Sequence, residues 1–400
     1  MRIAIVSGHF MPELGYQEVY LARALARQGH AVKVLASNAI SPTATSIVEQ
    51  EYEPGLTRDE KYGYEILRLK KCFGVGSNVV VRGLKRAVLE QRPDVIIIIA
   101  LAKLFAAPLL TDEVIKQARV IGVFGDALEY ANKSTWWKRC MSYAQSLAFN
   151  LFKKRLYRYA VRYCHRLVMN HPEAEAIYLG YLNRHERALF REKAVRLTLG
   201  YDREEFYFSQ SDRDTLRNEL NISSEEVVII TSTRVVPTKK LEHIVDLVST
   251  LISSGMKIKY IIVGFLSNSY GEQLRRFISQ QPQPECFFCY PFLSHEEIRR
   301  IYCAADVGIW SKAAISIQEA MGTGLPVILE HKQVVSHLIT NGVNGWYYAK
   351  NDLPKVIRQA ATTIGGQDVV ARMRQREMIA SLNESSLSYD NISRRMLAAT

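Results

Sequence analysis

Apolar residues at consecutive positions 2–6 give way to a loop carrying glycine and proline, then to a helical spacing over 18–28 that Gly29 and His30 end. A second apolar run, 31–35, follows. Strand, loop, helix and strand within about 35 residues predict the start of a parallel βαβ sheet. Further runs at 95–99, 120–123, 167–169 and 195–198 read as strands, mostly separated by helical stretches. Their apolar positions are successive rather than alternate, which suits strands covered on both faces. After a polar and aromatic stretch at 201–211 the rhythm restarts, with strands expected at 227–231, 260–263, 286–288, 307–310 and 327–329. A charged helix ends near Leu382, and a last helical pattern spans 389–399. No fixed-period repeat or low-complexity segment interrupts this order. The expectation is an α/β chain of two doubly wound, Rossmann-like domains, 1–205 and 206–382, with a C-terminal helix, 383–400. Open sheets of this kind bind ligands beyond the carboxyl ends of their strands. Two of them are expected to face a shared central cleft, with function in the loops that follow strands.

Composition agrees with two ordinary cores: the chain has 400 residues, 48% of them hydrophobic. No stretch reaches the ~20 uninterrupted apolar residues of a spanning helix, since the candidate at 95–110 carries Lys103 in its middle. The N-terminal run turns polar at Ser7 and Gly8, too soon for a secretory signal, so a cytoplasmic location is expected. Cys72, Cys140, Cys164, Cys286, Cys289 and Cys303 include one C-x-x-C with no second pair, which reads as a strand with reduced thiols rather than a zinc site. The net charge of +12 is uneven: residues 1–200 hold 30 Lys and Arg against 18 Asp and Glu, while 201–400 hold 22 of each. The excess points to an anionic partner of the first domain, whether membrane, nucleic acid or acidic saccharide.

Three segments carry candidate chemistry. In the loop after the first strand, Gly15 stands just before a helix, where a backbone can approach an anion; tight βα turns also use glycine for structure alone. No G-x-G-x-x-G occurs, against a dinucleotide oxidoreductase. Residues 316–328 combine Ser316, Glu319, a Gly322-Thr323-Gly324 helix stop and a strand. A carboxylate placed there can accept two hydrogen bonds from a ribose diol, or can simply complement the helix dipole. Arg234 and Lys239 follow a strand. Cations so placed stabilise the charge on a departing nucleoside diphosphate more in the transition state than in the ground state.

In order along the chain, these segments resemble glycosyltransferase family 4 and its GT-B relatives. Pro12, Gly15, Glu18, Gly29, His30 and Val32 are similar to the family's opening motif, with Tyr16 in place of its second glycine. Gly200, Tyr201, Asp202 and Phe206 resemble its interdomain link, with Leu199 where asparagine is usual. Arg234 and Lys239 resemble its GR-x-x-x-x-KG loop, with Thr233 and Lys240 in place of the glycines. Residues 294–297, Tyr302 and 304–307 resemble a further segment. The resemblance implies the GT-B fold and a retaining, metal-independent hexosyltransferase, with no cofactor beyond a nucleotide-diphosphate sugar as co-substrate. It gives Arg234 and Lys239 the donor diphosphate, Glu319 the ribose, and Ser316, Gly322, Thr323 and Gly324 positions facing the donor. Gly15 would approach the phosphates from the other domain, to which, by the same resemblance, the C-terminal helix of 383–400 would cross back. Ser311, followed by Lys312, stands where the family has the first acid of E-x7-E. Gly125 and Asp126 stand where it has a histidine near the anomeric centre, and Asp126 is the substitute candidate.

Between 133 and 166, Trp136, Trp137, Lys138, Arg139, Lys153, Lys154, Arg155, Arg158, Arg162 and Arg166 mix with apolar residues. Basic helices with aromatic anchors bind anionic lipid surfaces, though an amphipathic helix with a solvated face has the same composition. Expected partners are thus a nucleotide-sugar donor, a glycan or lipid-linked acceptor and a peripheral anionic membrane on the inner face of the plasma membrane, with no nucleic acid. Two other readings share the fold: a sugar-nucleotide epimerase or phosphorylase-like enzyme, and a non-catalytic donor-binding partner of a saccharide-assembly complex.

Overall fold

The apolar runs become parallel strands sorted into two units. The computed structural model describes residues 1–42, 44–45, 48, 50–75, 77–101, 103–125, 143–349 and 351–398. Unit 1 comprises Met1–Leu199 with Ile392–Thr400, and unit 2 comprises Gly200–Asn391.

In unit 1 the chain runs β1 (Arg2–Ser7), α1 (Gln17–Arg27), β2 (Ala31–Ser37), β3 (Gly55–Arg58), β4 (Glu65–Leu69), β5 (Lys71–Val75), β6 (Asn78–Val81), α2 (Leu84–Glu90) and β7 (Val95–Ile98). It continues with α3 (Asp112–Gln117), β8 (Arg119–Phe124), α4 (Tyr143–Tyr163), β9 (Arg166–Met169), α5 (Pro172–Gly180), α6 (Arg184–Lys193) and β10 (Ala194–Arg196). Eight strands form one sheet in the order β10-β9-β8-β7-β1-β2-β4-β3, parallel except where β3 meets β4. The order reverses between β1 and β7. Both are sealed from water along Ile3–Val6 and Val95–Ile98, as covered strands require. On one face Phe124, Tyr157, Tyr178 and Phe190 pack ring to ring at 4.7–5.3 Å, and the Tyr178 hydroxyl donates to the Tyr157 carbonyl. Strands β3 to β6 were not expected. β4 alternates half-buried and buried positions, and β3 is exposed throughout, so neither carries the continuous apolar signal of a central strand.

Unit 2 runs α7 (Gln210–Glu219), β11 (Val227–Ser232), α8 (Leu241–Ser253), β12 (Ile258–Phe265), α9 (Ser269–Ser279), β13 (Phe287–Pro291), α10 (His295–Ala304) and β14 (Val307–Trp310). It closes with α11 (Ile315–Gly322), β15 (Val327–Glu330), β16 (Gly345–Tyr348), α12 (Leu353–Gly365) and α13 (Val369–Leu387). Its six strands are all parallel, in the order β13-β12-β11-β14-β15-β16, so the order reverses between β11 and β14.

A buried charge cluster fastens the helices of unit 2. Asp306 receives Arg213 (2.6 Å) and Arg217 (3.0 Å) from α7 and the Val228 amide (2.8 Å) from β11. Arg213 also donates to the carbonyls of Cys303, Ala304 and Ala305 at 3.1 Å each, which the end of α10 leaves without intrahelical partners. Arg376 of α13 reaches the Ala305 and Tyr302 carbonyls and the Thr323 carbonyl, the last at 2.9 Å. Burial pushes its guanidinium down to about 9, which leaves it a cation at neutral pH. The chain's D-x-D triplet, Asp212-Arg213-Asp214, lies on α7 and is spent within the fold: Asp212 pairs with Arg299, Asp214 accepts from Gln210, and Arg213 joins the cluster.

The division after Leu199 falls a few residues before the boundary read from the sequence, because Tyr201 and Asp202 are buried in unit 2. Tyr201 bridges to Ser388, and its ring lies on Gly322. The last helix, α14 (Tyr389–Ala398), supplies unit 1 with buried Ile392, Ser393 and Met396. Gln28 donates to the Ser393 hydroxyl (2.8 Å) and Arg119 to the Leu397 carbonyl (3.0 Å).

Candidate functional site

Open parallel sheets bind ligands where their strand order reverses, and in unit 2 two loops flank that point. The loop after β11 carries exposed Arg234, then a single 3-10 turn, Pro237–Lys239, with Lys239 half-buried. Its path is fixed by β12: the Thr233 amide donates to the Val263 carbonyl (3.0 Å) and the Val235 amide to the Gly264 carbonyl (2.9 Å). A Cβ on Gly264 would stand 2.1 Å from the Thr233 carbonyl oxygen, so only glycine allows this approach. Lys240 keeps a left-handed backbone (φ 49°), a conformation that favours glycine. The glycine expected there by resemblance thus marks a real backbone demand, which lysine meets at a cost.

Across the reversal point, the loop after β14 leads into α11. The Ser311 hydroxyl donates to the Lys239 carbonyl (2.7 Å), which ties the two loops together. The Ser316 hydroxyl donates to the Ser232 carbonyl (2.8 Å), and the Trp310 indole donates to the same carbonyl (2.8 Å). The Tyr302 hydroxyl bonds the Ser232 hydroxyl (2.6 Å), and burial with the nearby charge of Glu319 pushes this phenol well up. Arg234, Lys239, Ser311, Ser316 and Glu319 therefore gather around the ends of β11 and β14. Glu319 is buried on α11.

Ser316, expected to face the donor, has its hydroxyl engaged by Ser232 and Trp310 and acts as a clasp between strand ends. Gly322, Thr323 and Gly324 sit at the far end of α11, about 10 Å along the axis from Ser316 at 1.5 Å per residue. They are walled by the protein: a Cβ on Gly322 would meet the Tyr201 ring at 2.5 Å and one on Gly324 the Arg376 carbonyl at 2.2 Å. Thr323 is fully buried, and its carbonyl accepts from Arg376. These residues pack against α13 and the chain entering unit 2. What the sequence reading missed is the start of α11. Its N-cap is Ala314, with no side-chain hydrogen bond and no acid in the first turn, where Ser, Thr, Asp or Asn is usual. A helix that begins uncapped after Lys312 offers amides to an anion. The alanine was the readable signal.

In unit 1, Gly15 precedes α1, whose N-cap, Tyr16, also gives no side-chain cap. Glu18, in the first turn, is buried, and that burial pushes its carboxyl up to about 7. Gly125 follows β8, where a Cβ would meet the Asn170 amide nitrogen at 2.8 Å; Asn170 in turn donates to Gln17 (2.9 Å). A side chain at 125 would have to displace this link. Asp126, with Lys133, Trp136, Trp137, Lys138 and Arg139, lies outside the described residues. On α4, Leu151, Phe152 and Tyr159 are exposed beside Lys154, Arg155, Arg158 and Arg162, while Leu156, Tyr157, Ala160 and Val161 are buried. Among the described residues no helix is long and apolar enough to cross a membrane, and no cluster of His, Cys, Asp or Glu could hold a metal ion.

Residues 212–376 match the family of glycosyl transferases group 1. Over 171 residues the chain is 26% identical to the amylovoran biosynthesis glycosyltransferase AmsK of Erwinia amylovora, a match spanning 40% of this chain and 39% of that protein. Among solved structures, Anabaena Alr3699/HepE in complex with UDP-glucose has a TM-score of 0.67 at 16% identity, covering 100% of this chain and 98% of that one. WaaG, a glycosyltransferase involved in lipopolysaccharide biosynthesis, has a TM-score of 0.63 at 14% identity, covering 99% of this chain and 100% of that one.

Proposed function

From a chain that has the GT-B fold and carries a glycosyl transferases group 1 domain, we propose a retaining glycosyltransferase, of hexosyltransferase type, that moves a sugar from a nucleotide-diphosphate donor to a glycan or lipid-linked acceptor in polysaccharide assembly. The observation that carries this is the knot of loops at the strand-order reversal of unit 2, where Arg234 and Lys239 stand across from the uncapped start of α11. Arg234 and Lys239 take the donor diphosphate and Glu319 its ribose. The α11 amides and Lys312 add positive potential where the leaving group gains charge. In this role Ser311 positions Lys239 through its carbonyl. Gly15 and Asp126 remain the candidates on unit 1.

Protein cations fill the role that a divalent ion plays elsewhere, so turnover is expected to survive chelation. The test is NMR of the product formed from an α-linked UDP-sugar, with and without EDTA. An α-linked product in both arms is expected; a β-linked product rejects retention, and activity restored only by magnesium or manganese rejects metal independence. Donor hydrolysis or epimerisation without an acceptor would instead favour the epimerase or phosphorylase-like reading.

The acceptor side is proposed to work at an anionic membrane face. The exposed apolar and basic positions of α4 support this, each Lys or Arg near such a surface adding about 1 kcal/mol. Liposome sedimentation is expected to be stronger on anionic than on neutral vesicles, and to weaken with salt and in a Lys153→Ala, Lys154→Ala, Arg155→Ala variant. Equal partition onto both vesicle types would reject the surface.

A further inference from the structure

The loops after β1, β4 and β7 bring a second set of cations together, in unit 1. His9 follows β1, Lys71 opens β5 directly after β4, and Lys103 follows β7. β1 and β7 flank the strand-order reversal of this sheet, again the place where such sheets take ligands. Packing holds the three loops in one place. A Cβ on Gly8 would stand 3.1 Å from Val79 of β6 and 3.6 Å from Phe105, two residues beyond Lys103. The Ser37 hydroxyl donates to the Gly8 carbonyl (2.5 Å), and the Lys71 amide to the Asn38 side chain (2.9 Å). The Lys103 ammonium donates to the Ser77 hydroxyl (2.9 Å), and the Leu104 amide to Asn78 (3.2 Å), which fastens the β7 loop to the β5–β6 turn.

The charge is unbalanced. Lys70 lies beside Lys71, Glu51 pairs with Lys71 at 3.4 Å, and Lys103 has a hydroxyl for a partner among the described residues. Burial lowers the His9 imidazole, and Lys103 and Lys71 lower it further, so both ammonium groups act on one ring. A phosphate ester with close to two charges matches the surplus that Lys70, Lys71 and Lys103 leave over Glu51 and accepts from the imidazole as well, whereas a carboxylate offsets only one.

We propose that His9, Lys71 and Lys103 form a phosphate-binding subsite of unit 1, which holds a phosphate carried by the acceptor. Calling the ligand an acceptor rests on the proposed function; the binding does not. The phosphate belongs either to a soluble sugar phosphate or to a prenyl-diphosphate-linked sugar.

The test is NMR of the labelled His9 ring in the full-length protein, titrated with inorganic pyrophosphate, glucose 1-phosphate, farnesyl diphosphate and acetate, with UDP binding to unit 2 followed in the same samples. Pyrophosphate is expected to shift the His9 signals saturably and to raise its pKa, because a bound anion favours the imidazolium. Lys103→Gln and Lys71→Gln are each expected to weaken this by about tenfold, the scale of one charge-assisted hydrogen bond, with circular dichroism and UDP binding unchanged. Tighter farnesyl diphosphate assigns a lipid-linked source, and equal or tighter glucose 1-phosphate a soluble one. Acetate binding as well as pyrophosphate, or affinity unchanged in both variants, overturns the subsite. UDP failing to bind while pyrophosphate binds would reject the donor site and leave this one standing.

Discussion

Arg234→Ala and Lys239→Ala are each expected to lower kcat by about 10²–10³-fold, the scale of one lost transition-state donor, about 2.7–4 kcal/mol. The charge these cations meet matures only as the glycosidic bond breaks, so their contribution falls on the chemical step. Glu319→Gln is expected mainly to raise the donor KM, since a ribose contact is made equally in ground and transition states. Steady-state kinetics of the three variants, each checked by circular dichroism, separate these outcomes. If all three stay folded and keep wild-type kcat and donor KM, the loops after β11 and β14 are not the donor site. Ser311→Ala is the companion variant. It leaves both cations in place and removes the bond to the Lys239 carbonyl, so a partial loss of kcat, smaller than that of Lys239→Ala, marks it as a positioning residue.

The largest expected effect on stability comes from Asp306. Asp306→Ala leaves Arg213 and Arg217 in the interior without their carboxylate and the Val228 amide without its acceptor. Removing one partner of a buried ion pair costs about 3–5 kcal/mol, much of the 5–15 kcal/mol that holds a typical domain. Denaturant unfolding should move the transition of unit 2 to much lower denaturant and leave that of unit 1 in place. An unshifted unit 2 transition would show that water or rearranged carbonyls satisfy the arginines instead. Acid should act on the same cluster. Burial alone would raise the Asp306 carboxyl, but Arg213, Arg217 and the Val228 amide outweigh it and hold the group below its ordinary value. Its contribution is then complete above about pH 4, the unfolded value, and is lost as pH falls through the lowered folded one.

Successive apolar positions made the central strands legible, because a strand covered on both faces leaves no polar side for its sequence to record. β14 was expected at 307–310 and lies at Val307–Trp310. β3 and β4 escaped because an edge strand and its neighbour follow partial burial, and β16 because Gly-Trp-Tyr-Tyr after a turn-rich stretch gives too short a run. The loop bearing Arg234 and Lys239 was readable from its cations next to a strand. The placement of Gly322 and Gly324 was not: a glycine that admits a neighbouring ring or carbonyl looks the same in sequence as one that admits a ligand, and only the position of Tyr201 and Arg376 decides. The knot of Ser232, Tyr302, Trp310 and Ser316 was hidden for a related reason, since its members are spread over the ends of two strands and two helices. Conversely, Ala314 was in plain view as the missing cap of α11.

Because α14 completes unit 1 from the far end of the chain, the order of synthesis sets the order of folding. At the usual 5–20 residues per second, the roughly 200 residues between Leu199 and the end of α14 take on the order of 10–40 s to appear. Throughout that interval the nascent unit 1 lacks Ile392 and Met396, both buried in the finished protein, and the partners of Gln28 and Arg119 do not yet exist. Unit 2, contiguous from Gly200 to Asn391, closes as soon as its own chain is made. Of the two units, the first to be translated is thus the last to be finished.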